Sequence, residues 1–182
     1  MIILTALQEE IPTLHKEDQV FVTGLGKVNA AHHATKLIME HAPKLVVNFG
    51  TAGAVSDDFK HGLVECTGFI QRDMDCMPLG FEKHVTPYED KSHLIGSPEL
   101  VCGTGDSFVI DGADLIAAGI DVVDMEAYAI AKVCKHFGVQ FRCFKYISDK
   151  ANENAGDDWT NFEHAKAESL FIERLTALRG NT

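Results

Sequence analysis

Short apolar runs that stop at acidic residues, and then give way to helical sequence, recur along this chain. The clearest is residues 122–131, VVDMEAYAIA, in which a β-branched run ends in two carboxylates ahead of an alanine-rich segment. Residues 144–150, FKYISDK, also end an apolar run with an acid, and a further acidic pair stands at Glu9 and Glu10. Carboxylates at strand ends are poorly placed for core packing and well placed to face a ligand. The pattern therefore predicts one pocket lined by acids.

The alternation of strand and helix patterns predicts an α/β fold, with a central, largely parallel or mixed sheet flanked by helices. A chain of 182 residues has the size of one domain, so residues 1–182 are expected to form a single domain. Residues 71–93 are polar and are predicted to form a long loop. The predicted strands are 2–6, 20–23, 45–49, 63–69, 120–123 and 142–147, and the predicted helices are 29–41, 114–118, 126–137 and 156–177.

Composition excludes several classes of protein. The formal net charge of -11 and the lack of a basic stripe argue against nucleic acid as the main partner. No apolar run is long enough to cross a bilayer, so we expect no membrane association. The five cysteines form no C-x-x-C pair, which favours a reduced, cytoplasmic setting, with Cys134 and Cys143 as core residues. The nine histidines are scattered, so no metal site is expected.

Six short segments carry a resemblance to a known family. In chain order they are ALQEE at 6–10, GLGKV at 24–28, NFGTAG at 48–53, GDSF at 105–108, VDMEA at 123–127 and ISD at 147–149. Together they resemble the nucleoside phosphorylase/nucleosidase superfamily, and most closely the 5′-methylthioadenosine/S-adenosylhomocysteine nucleosidases. The resemblance implies a mixed sheet flanked by helices and hydrolysis of the N-glycosidic bond of a purine nucleoside. It also implies a homodimer that uses no metal or organic cofactor.

The two catalytic residues implied by the resemblance are Asp149 and Glu10. Asp149 corresponds to the acid that serves purine N7, and a buried carboxyl is able to carry the required proton at neutral pH because its pKa is raised. From the sequence alone, Ser148 and Asp149 are equally good N-caps for the next segment. Glu10 corresponds to the base for the attacking water, and the alternative for Glu9 and Glu10 is a solvated helix start.

The substrate-binding residues implied by the resemblance begin with Glu126, which accepts hydrogen bonds from the ribose hydroxyls while Met125 packs on the sugar. The alternative for Glu126 is an acid that stabilises a helix N-terminus. Phe108 and Val109 correspond to the residues that contact the base, although two core residues after a glycine turn would show the same pattern. Ser148 is assigned to substrate binding with them.

The resemblance is weakest at two positions and at the 5′ end of the site. Thr51 and Lys145 align with family positions that hold Ser and Arg around the water, and Lys cannot reproduce the bidentate contact of Arg. Residues 71–82 and 150–159 also depart from the family pattern. We expect the 5′ substituent to be enclosed by three residues that are alternatively ordinary loop anchors: Phe81, Pro87 and Tyr88.

Two other functions are compatible with the sequence. A phosphorylase would need an anion site, for which Arg72 is the plausible ligand and Lys145 a second. A carboxylate at Glu10 would repel that anion. A non-catalytic nucleoside-binding protein is the other alternative, but it has little need of Glu10, Glu126 and Asp149 together.

Overall fold

The computed structural model describes residues 1–15, 18–56, 59, 62–88, 95–109, 111–152 and 154–180. Within these residues, nine strands form one sheet and five α-helices pack around it. Short 3-10 turns lie at Gln8–Glu10 and Met77–Leu79. In chain order the elements are β1 (Ile2–Thr5), β2 (Val20–Val22), α1 (Lys27–His41), β3 (Leu45–Ala54), β4 (Leu63–Cys66), β5 (Gly68–Gln71), β6 (Ile95–Gly96), β7 (Val101–Thr104), α2 (Ala113–Ala117), β8 (Val122–Asp124), α3 (Ala127–Phe137), β9 (Gln140–Lys150), α4 (Ala155–Thr160) and α5 (His164–Gly180).

The sheet is mixed, as the sequence predicts. Its main path runs β2-β1-β3-β8-β7-β5-β6, while β9 pairs with both β3 and β4. β3 is parallel to β1 and β9 and antiparallel to β8, and β4 is antiparallel to β9. The long strand β3 therefore pairs with β9 along its whole length, and on its other side it pairs first with β1 and then with β8, so it brings the ends of these three strands together.

The two central strands are longer than predicted. The prediction that β3 ends at Phe49 is wrong because Gly50 to Ala54 continue to pair with β9, with an irregularity between Ala52 and Gly53. β9 likewise continues to Lys150, so Asp149 lies inside a strand. The interpretation of Asp149 as an N-cap is therefore wrong, since the next helix, α4, begins at Ala155 with Asn154 as its N-cap residue.

Two predicted elements are each divided in the structure. The predicted strand 63–69 is two strands, because β4 pairs with β9 whereas β5 pairs with β7. The predicted helix 156–177 is α4 followed by α5. Asn161, at the end of α4, donates its side-chain amide to the Asp157 carbonyl at 2.8 Å. Asn side chains compete for main-chain partners in this way and so favour helix ends over helix interiors. The two-residue strand β6 was not predicted.

The core has two layers, one on each face of the sheet. On one face, α1 and α3 pack through small and aliphatic residues that include Ala30, Ala34 and Ile130. On the other face, Phe171 of α5 is fully buried, with its ring 4.2 Å from Phe49 in a stacked arrangement and 6.1 Å from Phe144. Within the described residues no helix is long and apolar enough to span a membrane. Cys134 and Cys143 are buried, as predicted, with relative exposures of 1% and 0%.

Phe171 is expected to anchor α5. Phe171→Ala removes a buried ring and leaves a cavity, so it should lower the free energy of unfolding by about 3–5 kcal/mol. Urea denaturation measures this loss. The exposed Glu173, two residues further along α5, provides a control, because Glu173→Ala should change the stability by less than about 0.5 kcal/mol. Equal effects of the two substitutions would contradict this account of the α5 packing.

Candidate active site

A cavity of about 190 Å³ opens where the ends of β1, β8 and β9 meet β3, with α4 beside it. Of the nine residues that the sequence assigns to the site, seven line this cavity, and Ser148 and Lys145 lie behind the wall. The seven lining residues come from widely separated parts of the chain: Glu10, Thr51, Phe108, Val109, Met125, Glu126 and Asp149.

Glu10 is held by five hydrogen bonds. Its Oε2 accepts the Thr5 hydroxyl at 2.9 Å and the Ala6 and Leu7 amides at 3.1 and 3.3 Å. Its Oε1 accepts the Thr51 amide at 2.8 Å and the Thr51 hydroxyl at 2.9 Å. The side chain is buried, with 5% exposure, so the alternative of a solvated helix start is wrong for Glu10. These donors fix one orientation of the carboxylate at the cavity wall.

A buried ion pair lies behind Glu10. The Lys145 ammonium is 2.7 Å from Oδ2 of Asp124, and both residues are buried. Burial alone lowers the pKa of Lys145, but Asp124 opposes this effect and leaves that pKa well above its ordinary value. Burial correspondingly raises the pKa of Asp124, but Lys145 and two other hydrogen-bond donors outweigh it and leave that pKa lowered. Both partners are therefore charged at neutral pH.

The same ion pair connects the site to a helix. Asp124 also accepts the Thr104 hydroxyl at 2.6 Å and the Ala127 amide at 2.8 Å, so its carboxylate caps the start of α3. A Cβ on Gly50 would lie 3.0 Å from Glu10 Oε1 and 3.2 Å from Lys145 Nζ, so both groups lie on the same side of Gly50. Lys145 pairs with Asp124, which lines the cavity, and does not line the cavity itself.

Glu126 is the N-cap residue of α3, but its carboxylate makes no capping hydrogen bond. Instead its Oε1 accepts the Gly26 amide at 2.8 Å, because the turn before α1 reaches the site. Gly24 and Gly26 adopt φ values of 83° and 89°, which glycine tolerates and other residues rarely do. Burial, followed by the charge of Asp124, raises the pKa of Glu126 to about 8. The GLG segment is therefore a turn that holds a carboxylate.

Asp149 lies in β9 with its side chain directed into the cavity wall. Ser148 does not line the cavity itself, but it donates its hydroxyl to Asp149 Oδ2 at 2.7 Å. Burial raises the pKa of Asp149, Ser148 opposes this and Asp158 adds to it, and the net direction is upward. A Cβ on Gly53 would lie 2.6 Å from Asp149 Oδ1, so the facing strand leaves room for the carboxyl only because residue 53 is glycine.

The loop after β7 supplies an aromatic wall. Phe108 is 60% exposed, so the alternative of a core residue is wrong for it, whereas Val109 is 7% exposed and packs in the core while also lining the cavity. Arg72 fixes this loop, donating to the carbonyls of Gly105 at 2.9 Å and Ser107. The Arg72 guanidinium, considered above as a phosphate ligand, thus donates to this loop from both terminal amino groups: Nη2 donates to the two carbonyls, and Nη1 donates to the Ser107 hydroxyl at 3.4 Å.

Sequence reasoning missed Trp159. This residue of α4 lines the cavity and donates its indole N–H to the Thr51 hydroxyl at 2.8 Å. The available signal was that the only tryptophan of the chain stands in a segment that departs from the family pattern. The three residues expected to enclose a 5′ substituent, Phe81, Pro87 and Tyr88, do not line the cavity. The Phe81 and Tyr88 rings contact each other at 5.3 Å, and Tyr88 is 93% exposed.

Comparison with known proteins identifies the family of this chain. The family model for the phosphorylase superfamily matches residues 9–102 and 98–179. The chain belongs to the phosphorylase superfamily, which confirms the resemblance drawn from the six segments.

The similar proteins are nucleosidases. A 5′-methylthioadenosine/S-adenosylhomocysteine nucleosidase of Exiguobacterium sp. is 34% identical, over 79% of this chain and 72% of that relative. The enzyme of the same description from Staphylococcus haemolyticus is 31% identical, over 88% of this chain and 81% of its own. The solved structure of a Helicobacter pylori nucleosidase superposes with a TM-score of 0.87 at 22% identity, covering 99% of this chain and 97% of that one. A futalosine hydrolase from the same organism gives 0.85 at 22% identity, with the same coverage.

The raised pKa of Glu126 makes the stability of the fold depend on pH. The folded protein binds this proton more tightly than the unfolded chain, so the contribution is complete below the ordinary pKa of 4.5 and is lost as pH rises to about 8. Glu126→Gln should remove this loss. On going from about pH 5 to about pH 8.5, the free energy of unfolding of wild type should therefore fall relative to that of the variant.

Urea unfolding at both pH values measures this difference. Glu163→Gln, a change of the same chemistry at an exposed position, is the control and should follow wild type at both. Parallel pH curves for wild type and Glu126→Gln would show that Glu126 titrates normally in the folded protein.

Proposed function

We propose that this protein is a nucleosidase that hydrolyses the N-glycosidic bond of an adenine nucleoside with a modified 5′ position. 5′-Methylthioadenosine and S-adenosylhomocysteine, which the names of the relatives specify, are the proposed substrates. The observation that carries the proposal is the meeting of Glu10, Glu126 and Asp149 around one cavity that also has an exposed phenylalanine ring. Cleavage of this bond builds positive charge on the sugar and negative charge on the leaving base. A carboxylate stabilises the positive sugar, and a protonated carboxyl donates a proton to the leaving base.

In the proposed mechanism Asp149 is the general acid. Burial raises its pKa, which favours the protonated form that a leaving purine needs at N7. The Ser148 hydroxyl orients the carboxyl from behind, and Phe108 supplies a surface for the base while Val109 bonds it through the main chain. Together these groups stabilise the departing adenine before the bond has fully broken.

Glu126 is proposed to bind the sugar, with Met125 packed beside it. Its carboxylate can accept both ribose hydroxyls, and its negative charge stabilises the oxocarbenium character that develops on the ring. In the unliganded protein, burial and Asp124 raise the Glu126 pKa to about 8. Two donated hydrogen bonds and a cationic sugar both favour the ionised form. Binding of the transition state is therefore coupled to loss of the Glu126 proton.

Glu10 is proposed to activate the attacking water. Its two oxygens are oriented by Thr5 and Thr51, and the Lys145 ammonium lies on the same side of Gly50. Thr51 and Lys145 stand where the family has Ser and Arg, and here the lysine acts through Asp124, the acid with which it pairs. The positive charge of Lys145 offsets the repulsion of acids gathered in one cavity.

Phosphorolysis is the nearest alternative reaction, and the site is poorly suited to it. The Glu10 carboxylate occupies the wall where a phosphate would attack, and the terminal amino groups of Arg72 are bonded to protein acceptors. We expect purified protein to release adenine from 5′-methylthioadenosine in phosphate-free buffer, measured by chromatography. A strict requirement for phosphate would overturn the proposed hydrolysis.

The remaining alternative, a binding protein without activity, is distinguished by Asp149→Asn. The amide keeps the shape of the side chain but has no proton to give to the base, so kcat should fall by roughly 10²–10⁴-fold while a substrate analogue still binds. Asp157→Asn, an exposed position on α4, is the matched control and should keep wild-type turnover. Unchanged turnover in Asp149→Asn would remove Asp149 from the mechanism.

We further propose a single domain over residues 1–182 that acts as a homodimer in the cytoplasm. The homodimer is supported by exposed apolar side chains at the start of α1 and on its surface, where Leu25, Val28 and Met39 are 50%, 80% and 72% exposed. Sedimentation velocity distinguishes the dimer from a monomer. The cytoplasmic setting is supported by five free cysteines, four of them buried.

A further inference from the structure

We propose that Trp159 is a positioning residue for the hydrolytic water, because its indole N–H fixes the direction of the hydrogen bond from Thr51 to Glu10. The inference rests on the proposed function, in which Glu10 activates the water. It assigns to α4 a part in the chemistry that is separate from closing the cavity.

The three groups form a chain of hydrogen bonds. Trp159 Nε1 lies 2.8 Å from Thr51 Oγ1, which in turn lies 2.9 Å from Glu10 Oε1. An indole N–H is only a donor, so the Thr51 oxygen must accept from it. The proton of the hydroxyl is then directed to Glu10, and the chain runs from tryptophan to threonine to carboxylate.

The indole is packed against a neighbouring helix. Trp159 is half-buried, and its ring meets His164 of α5 edge-on, with 5.0 Å between the ring centroids. The buried Ala155, one turn earlier on α4, lines the same cavity. The donor therefore approaches Thr51 from a ring that is itself in contact with α5, which restricts the rotation of the hydroxyl.

A fixed hydroxyl has a consequence for the water. A threonine hydroxyl has one proton and two lone pairs. The Thr51 hydroxyl donates its proton to Glu10 and accepts the Trp159 N–H with one lone pair. Its second lone pair is then available to accept a hydrogen bond from a water that also donates to Glu10. Two acceptors then hold the same water and turn its oxygen away from the wall. Without the indole N–H, the Thr51 hydroxyl is less restricted in its rotation. It then no longer holds the water and the Glu10 carboxylate in one fixed arrangement.

The test is a double-mutant cycle between Trp159→Phe and Thr51→Val. Trp159→Phe keeps an aromatic ring but removes the donor, and it should lower kcat about tenfold, the value of one ordinary hydrogen bond, with KM for 5′-methylthioadenosine within about twofold. In the Thr51→Val background the same change should cost less than about twofold, because no hydroxyl remains to orient. Thr51→Ser retains the hydroxyl and should restore the tenfold dependence on Trp159.

A second substitution separates the donor from the packing. Because the chain has one tryptophan, growth on β-(3-benzothienyl)alanine replaces Trp159 alone, with sulfur in place of the N–H and nearly the same shape. The proposal expects the same fall in kcat as for Trp159→Phe, at an unchanged unfolding midpoint.

Two results overturn the proposal. One is a cost of Trp159→Phe that persists in the Thr51→Val background, which would show that the ring acts by packing alone. The other is wild-type kcat in the benzothienyl protein. Failure of the proposed function gives a different result, since the wild-type protein would then release no adenine in phosphate-free buffer.

Discussion

The ion pair between Lys145 and Asp124 is the interaction on which the site depends. It is buried, with 2.7 Å between ammonium and carboxylate, and it joins β9 to β8 at the start of α3. Asp124 caps α3 and so fixes Glu126 at its start, while Lys145 of β9 lies on the same side of Gly50 as Glu10. Removal of one partner from such a pair costs about 3–5 kcal/mol, because an uncompensated charge remains in the interior. The fold and the chemistry therefore share one set of charges.

The distribution of charge also separates the acids by function. One buried cation is placed among several carboxylates, and the acid that touches it has a lowered pKa. Glu126 and Asp149 lie farther from that cation, and burial raises the pKa of both. Groups of identical chemistry thus differ in the direction of their pKa shifts, because Lys145 outweighs the effect of burial only for Asp124. A site that needs both a proton donor and negative charge can obtain them in this way from carboxyl groups alone.

The acidic segments could be predicted from the sequence because strand ends are local signals. An apolar run that stops at a carboxylate indicates the edge of a sheet, and this pattern located the segments that contain Glu10, Glu126 and Asp149. The choice of Glu10 over Glu9, and the role of each acid, came from the family resemblance. The lengths of β3 and β9 could not be predicted, since the glycines at 50 and 53 suggest a turn and only pairing between the two strands keeps them extended. Trp159 was missed for a similar reason. Its partner, Thr51, is 108 residues away, and no periodicity within α4 points to it.

Gly50 and Gly53 of β3 lack side chains at the two places where acids lie against this strand. A Cβ at residue 50 would press on Glu10 and Lys145, and one at residue 53 would press on Asp149. The two glycines leave space beside the main chain, and the charged groups of neighbouring segments occupy that space. Alanine at either glycine would therefore displace an acid without replacing it, because the added Cβ would lie 3.0 Å from Glu10 Oε1 or 2.6 Å from Asp149 Oδ1.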